Sequence, residues 1–188
     1  MSRTYRLTPL SKSLALAALV GLGATLMAAK AHAGSAGTSL SVTASVAANC
    51  TISTSAVAFG AYDPVVTNAA TALNGTGSVS IACTKGSAPN ITLDLGANAS
   101  GSQRNMKITG GGTDLLAYQL YQPPGTAPAT ACTFPGSTVW GTSAAQTFTP
   151  TSPTTKASRS YNVCGTVTAG QDVNVGSYQD TVTATVNF

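Results

Sequence analysis

Beyond about residue 38 the chain is built from short runs in which apolar and polar residues alternate. Leu40, Val42, Ala44 and Val46 are separated by Ser41, Thr43 and Ser45. Val79, Ile81 and Cys83 alternate in a second run, Ile91, Leu93 and Leu95 in a third, and Leu116, Tyr118 and Leu120 in a fourth. Tyr161 and Val163 mark a fifth, and Val182, Ala184, Val186 and Phe188 a sixth. Shorter candidates lie at Val57–Phe59, Asn105–Ile108, Thr138–Trp140 and Gln146–Phe148. A period of two puts one set of side chains on one face of an extended chain, so each run predicts a half-buried strand. Asn74-Gly75, Gly110-Gly111-Gly112, Pro123-Pro124-Gly125 and Ala169-Gly170 read as the turns between them. Roughly seven to nine short strands without a helical period predict an all-β antiparallel sandwich in one domain. The Pro- and Thr-rich stretch from Pro123 to Pro153 predicts long loops around one or two strands.

The first 33 residues follow another pattern. Arg3, Arg6 and Lys12 precede an apolar stretch from Leu14 to Ala29, and Ala31-His32-Ala33 supplies a small-x-small end. That order predicts a secretory signal peptide over residues 1–33, cleaved after Ala33. The apolar stretch is shorter than the roughly 20 residues that a spanning helix needs.

Removal of the leader changes the charge. The whole chain carries nine Lys+Arg against five Asp+Glu, a formal +4 with a pI near 9.0. Arg3, Arg6, Lys12 and Lys30 leave with the leader, so Lys85, Arg104, Lys107, Lys156 and Arg159 face Asp63, Asp94, Asp114, Asp172 and Asp180, and the charge falls to zero. No basic patch remains to neutralise phosphates, which excludes a nucleic-acid partner. The one histidine, His32, leaves too, and the chain has no glutamate. Ser-His-Asp and Cys-His arrangements and His-containing zinc sites are therefore out of reach. The expectation is a protein that is not an enzyme and takes no cofactor or metal.

Cys50, Cys83, Cys132 and Cys164 all lie in the exported part. An even number of cysteines in an oxidising compartment predicts two disulfides. Their wide spacing, without a C-x-x-C pair, suits zinc poorly. Cys50–Cys83 with Cys132–Cys164 is the preferred pairing, each closing a loop of about 30 residues worth about 3–4 kcal/mol. Spacing leaves the other two pairings open.

Certain residues, taken in order, carry a resemblance. Cys50-Thr51-Ile52 precedes Val57-Ala58-Phe59-Gly60-Ala61-Tyr62-Asp63-Pro64 and Ser80-Ile81-Ala82-Cys83. Arg104-Asn105-Met106, Leu116-Ala117-Tyr118-Gln119-Leu120-Tyr121 and Trp140-Gly141 follow, then Ala169-Gly170 and Gly176-Ser177-Tyr178-Gln179-Asp180-Thr181-Val182. This set resembles the spore coat protein U domain family, which includes the Csu-like pilins of archaic chaperone–usher systems. The resemblance implies an incomplete immunoglobulin-like antiparallel β-sandwich lacking its last strand. It further implies passage through the periplasm to the cell surface, with like subunits, a periplasmic chaperone and an outer-membrane usher as partners. The function implied is that of a structural subunit of a fimbria, assembled by donor-strand complementation and serving adhesion and biofilm formation. A monomeric secreted lectin-like or coat protein with a carbohydrate or surface receptor is the rival.

On that reading residues 34–47 form a donor segment, with Leu40, Val42, Ala44 and Val46 as its buried face, and 48–188 form the sandwich. Val182, Ala184, Val186 and Phe188 border the groove and the chaperone edge. The motif residues Phe59, Gly60, Tyr62, Tyr118, Trp140, Gly176, Tyr178 and Asp180 are expected to be mainly structural. Gly60, Tyr62 and Pro64 predict a tight turn with Tyr62 packed back on the sheet, and Asp63 predicts local turn hydrogen bonds. Trp140 is expected in the core in preference to a sugar-stacking surface. Asp180 shares parity with Val182, so it either points inward, where an unpaired carboxylate is costly, or precedes the strand and accepts turn N–H groups.

Overall fold

The computed structural model describes residues 33–188; the expected leader lies outside the described residues except for Ala33. The chain divides into two units, Met1–Thr43 and Ala44–Phe188. In the first, residues 33–43 form neither strand nor helix, and Leu40 and Val42 are 87% and 86% exposed.

The second unit is a β-body of eight strands: β1 (Cys50–Ser55), β2 (Leu73–Cys83), β3 (Asn90–Leu93), β4 (Arg104–Ile108), β5 (Leu115–Tyr121), β6 (Arg159–Val167), β7 (Tyr178–Gln179) and β8 (Ala184–Asn187). All pair antiparallel, six in the order β1-β2-β6-β5-β4-β7 and two, β3 and β8, in a second sheet. Val79 and Ile81 of β2, Tyr161 and Val163 of β6, and Tyr118 and Leu120 of β5 face Ile91 and Leu93 of β3. Their period of two is the one read from the sequence.

Several expectations are corrected. The first alternating run is not a strand: residues 44–49 are irregular too, and the first strand is Cys50–Ser55, where Ile52 and alternate hydroxyls pair with β2. Asn74-Gly75 is not a turn but lies inside β2, opposite Thr166 and Gly165 of β6. The reason is steric. A Cβ at Gly75 would lie 2.9 Å from the Phe59 ring, one at Gly77 2.7 Å from Val57, and one at Gly165 2.6 Å from Val57 and 2.7 Å from Phe59. These glycines serve close packing within the sheet.

Val57–Phe59 is accordingly not a paired strand. Its alternation is real, but the two side chains fill the glycine window while the backbone joins no ladder. Thr138–Trp140 and Gln146–Phe148 also fall short of strands. Val139 forms a single bridge with Tyr121, and Phe148 one with Ile91. A 3-10 turn, Ala144–Gln146, separates them, and the rest of Pro123–Pro153 is irregular. The run from Val182 to Phe188 is strand only over Ala184–Asn187, and Phe188 is 54% exposed. The glycine-rich turn holds Gly110 and Gly111 at φ 89° and 104°, where a side chain would be strained.

Cys50 joins Cys83 directly across the β1–β2 ladder, and Cys132 joins Cys164, fixing the long loop to β6.

Candidate functional site

The body has one side on which the sandwich does not close. After β7 the chain leaves the large sheet, passes through Asp180–Thr183 and enters the small sheet as β8. Among the described residues β8 pairs only with β3, and β1 pairs only with β2. Between Thr54–Phe59 on one side and Tyr178–Ala184 on the other lies a depression of about 470 Å³. Its floor is the core itself, with Val79, Leu93, Leu120 and Val163 at the bottom. A second depression of about 690 Å³ runs on from it past Gly60, Tyr62 and Gly176, sharing Val57, Phe59, Met106 and Tyr178 with the first.

The β8-side wall is fixed along its outer edge. Thr109 N–H donates to Ser177 O at 2.8 Å, Ala97 N–H to Thr181 O at 3.1 Å and Asp94 N–H to Thr183 O at 3.0 Å. Thr183 N–H donates in return to Asp94 Oδ1 at 2.9 Å. In an antiparallel strand successive residues turn their N–H and C=O to opposite edges. The odd-numbered residues thus spend their main-chain groups outward, and Tyr178, Asp180, Val182, Ala184 and Val186 turn theirs to the open edge. An unpaired edge of that length is a template for another strand.

Asp180 resolves both sequence alternatives at once. Its side chain points inward, and Oδ2 accepts the Tyr118 hydroxyl at 2.6 Å. Oδ1 accepts the Asn98 N–H at 3.1 Å and its Nδ2 at 3.0 Å, so turn hydrogens are satisfied as well. Burial, followed by the hydrogen bond to Asp180, pushes the Tyr118 phenol far above its ordinary range, so it stays a donor. Asp94 feels burial upward, but the Thr183 and Gly96 hydrogen bonds and the Arg104 charge together hold its carboxyl below the usual value.

Under this wall lies Arg104, fully buried, a residue whose site role the sequence pattern missed. Its Nε and Nη2 donate to Asp94 O at 3.0 and 2.6 Å, Nη2 also to Leu93 O at 3.2 Å and Trp140 O at 2.7 Å, and Nη1 to Gln119 Oε1. Burial lowers its pKa, with Tyr118, Asp94 and Asp180 opposing. The available signal is that Arg104 is one of only two arginines after the expected leader, in a stretch almost without charge.

Of the expected site residues, Phe59, Tyr118, Tyr178, Asp180, Val182 and Ala184 meet at the first depression, and Phe59, Gly60, Tyr62, Gly176 and Tyr178 at the second. Val186 and Phe188 lie beyond the groove, and Trp140 is in the core, with its indole N–H donating to Ile91 O at 2.9 Å. Gly60 has φ 80°, and the Tyr62 hydroxyl donates to Thr168 O at 3.0 Å and accepts Gln171 N–H at 2.8 Å, as a turn packed back on the sheet requires. Asp63 caps that turn, accepting from Val65 and Val66 at 2.9 and 3.1 Å. In the body, Val46 is 85% exposed, and the residues after it are tied down by Thr84, whose Oγ1 accepts Asn49 N–H at 3.1 Å and donates to Ala47 O at 3.3 Å.

With this geometry in hand, the profile of the Spore Coat Protein U domain matches residues 36–185. The chain belongs to that family. "Protein U" of Myxococcus xanthus is 33% identical over 192 residues, covering 93% of this chain and 97% of that protein. Among solved structures, one similar chain comes from the chaperone–tip adhesion subunit pre-assembly complex of the archaic chaperone–usher Csu pili of Acinetobacter baumannii. The TM-score is 0.52 at 23% identity, over 76% of this chain and 40% of that one. The chain thus spans about 40% of that neighbour, and the likeness shows the all-β immunoglobulin-like fold.

Proposed function

We propose that the protein is a structural subunit of a surface fimbria, assembled by donor-strand complementation through a chaperone–usher pathway. The observation that carries the reading is the groove: an open strand edge beside a depression lined by half-buried Val57, Phe59, Met106 and Val182, in a chain that also holds an exposed segment with apolar residues at every second position. On this reading residues 1–33 direct export, and a periplasmic chaperone covers the β8 edge until an outer-membrane usher exchanges it for the 34–47 segment of the next subunit. The contact is head-to-tail, so it propagates as an open filament, and adhesion and biofilm formation are properties of that filament. Burying Leu40, Val42 and Val46 offers roughly 1.5–3 kcal/mol for each fully buried side chain, and Ala44 less.

The test is Val42→Lys, which places a charge without a partner in the groove. The expected outcome is a subunit that is still captured by the chaperone and folded but forms no heat-sensitive ladder on a non-boiled gel. A copy of residues 38–47 joined after Phe188 by a short flexible linker should give a stable, self-complemented monomer. Loss of fold in Val42→Lys, with no stabilisation from the appended copy, would refute the reading.

A further inference from the structure

The groove also sets which residue of the occupant stands where. Its first depression runs beside Tyr178, Asp180, Val182 and Ala184, four positions two apart, all with main-chain groups toward the open edge. The occupant proposed above likewise offers four positions two apart: Leu40, Val42, Ala44 and Val46. Three of the four wall side chains are apolar or aromatic, and one is a carboxylate. Three of the four arm side chains are large, and one is small.

We infer that the 38–47 segment of a second copy pairs antiparallel with the Tyr178–Val186 edge in a single register, with Ala44 opposite Asp180. Opposite residues then are Val46 and Tyr178, Val42 and Val182, and Leu40 and Ala184. The largest arm side chain meets the smallest wall residue, and the smallest arm side chain meets the carboxylate. Asp180 already holds the Tyr118 hydroxyl at 2.6 Å and Asn98 N–H at 3.1 Å, so a bulkier neighbour would press apolar carbon onto a satisfied polar cluster. In the parallel arrangement Leu40 would meet Tyr178, and Val42 would sit on the carboxylate. Slipping the antiparallel pairing by two residues puts either Val42 or Val46 there. Each alternative both crowds the cluster and leaves a gap elsewhere, and closely packed interiors tolerate neither. Ala44 is thus the register-setting residue of the arm.

The inference rests on the donor-strand reading, and the experiment separates the two. In full-length chains that keep both native disulfides, Val42→Cys is combined with Val182→Cys or with Ala184→Cys, and bridges between subunits are mapped by mass spectrometry. Directly opposite residues lie about 5.5 Å apart at Cα, within disulfide reach, whereas a displacement of two residues exceeds about 7 Å and prevents bridging. Bridges for 42–182 without 42–184 are the expected result. Bridges for 42–184, in subunits that still polymerise, would overturn the register and leave the function standing. Absence of any oligomer in the unmodified chain would overturn both. As a second measurement, a synthetic peptide of residues 38–47 is compared with its Ala44→Leu form as an inhibitor of polymerisation. The leucine form should be at least tenfold weaker, and equal or greater potency would overturn the assignment.

Discussion

The two sides of the β-body are held in different ways. On the closed side β2, β6 and β5 each have a strand on both edges, and Tyr161 and Val167 are shielded completely. On the open side the wall from Tyr178 to Asn187 has one edge hydrogen-bonded and one bare. Openness here is not looseness. Asp94, Asn98 and Asp180 tie the wall down by hydrogen bonds, while Val57, Phe59, Met106 and Val182 along the groove stay only half-buried. On the donor-strand proposal, a groove that receives a strand needs fixed edges and apolar lining left partly uncovered, and the difference between the sides supplies both.

The change with the largest expected effect attacks the point where the two sides join. Arg104 gathers the carbonyls of Leu93 and Asp94 beneath the open wall, Gln119 on β5 and Trp140 from the long loop. Arg104→Met keeps much of the volume but leaves those buried acceptors without donors, each worth about 1–3 kcal/mol. Destabilisation of at least about 3 kcal/mol is expected in urea unfolding of the self-complemented chain. A loss below about 1 kcal/mol would mean that the arginine is not the joint between the sides.

A smaller effect is expected from Gly165→Val on β6. The added carbons would run into Val57 and Phe59, which lie within 3 Å of even a Cβ there. Overpacking of this kind destabilises by about 1–3 kcal/mol. Because those two side chains also line the groove, the variant should lose peptide affinity as well as stability. Arg104→Met, acting from below, should lose mainly stability. That split, read from unfolding of the self-complemented chain and from peptide titration of the chain without the appended copy, sharpens the contrast between core and groove.

Much of this was legible in the residues. The period-two runs at Val79–Cys83, Leu116–Leu120 and Tyr161–Val163 became core strands because one buried face is what such alternation encodes. The alternation at Val57–Phe59 suggests a strand, but alternation reports which way side chains point and says nothing about backbone pairing. Asn74-Gly75 resembles a turn because a glycine needed for φ > 0 and one needed for close approach look alike in sequence. Of the site, Phe59, Tyr118 and Asp180 were picked out through the family pattern. Arg104, Asn98 and Asp94 act through contacts between residues about ten to ninety apart, with no local period to mark them.

The smallest effect concerns acid, and it should fall on one side only. Asp63 is held below its ordinary carboxylate value by the N–H groups of Val66 and Val65, and Asp94 by the hydrogen bonds and charge that outweigh its burial. A carboxyl whose folded pKa lies below its unfolded one contributes stability in full above the unfolded value, near 3.8. That contribution is lost as pH falls through the depressed folded values. Both groups serve the open side: Asp63 caps the turn at the second depression, and Asp94 holds Thr183 of the wall. Arg104, which joins the two sides, does not lose its proton in this range. Acidification from pH 6 to pH 3 should therefore lower the melting temperature by less than Gly165→Val does, with amide exchange rising first at Val65–Thr67 and Thr181–Thr183. Asp63→Asn and Asp94→Asn should each flatten part of that pH dependence. Exchange that rises first in β2 and β6, or an unchanged slope in both variants, would show that acid acts on the closed core instead.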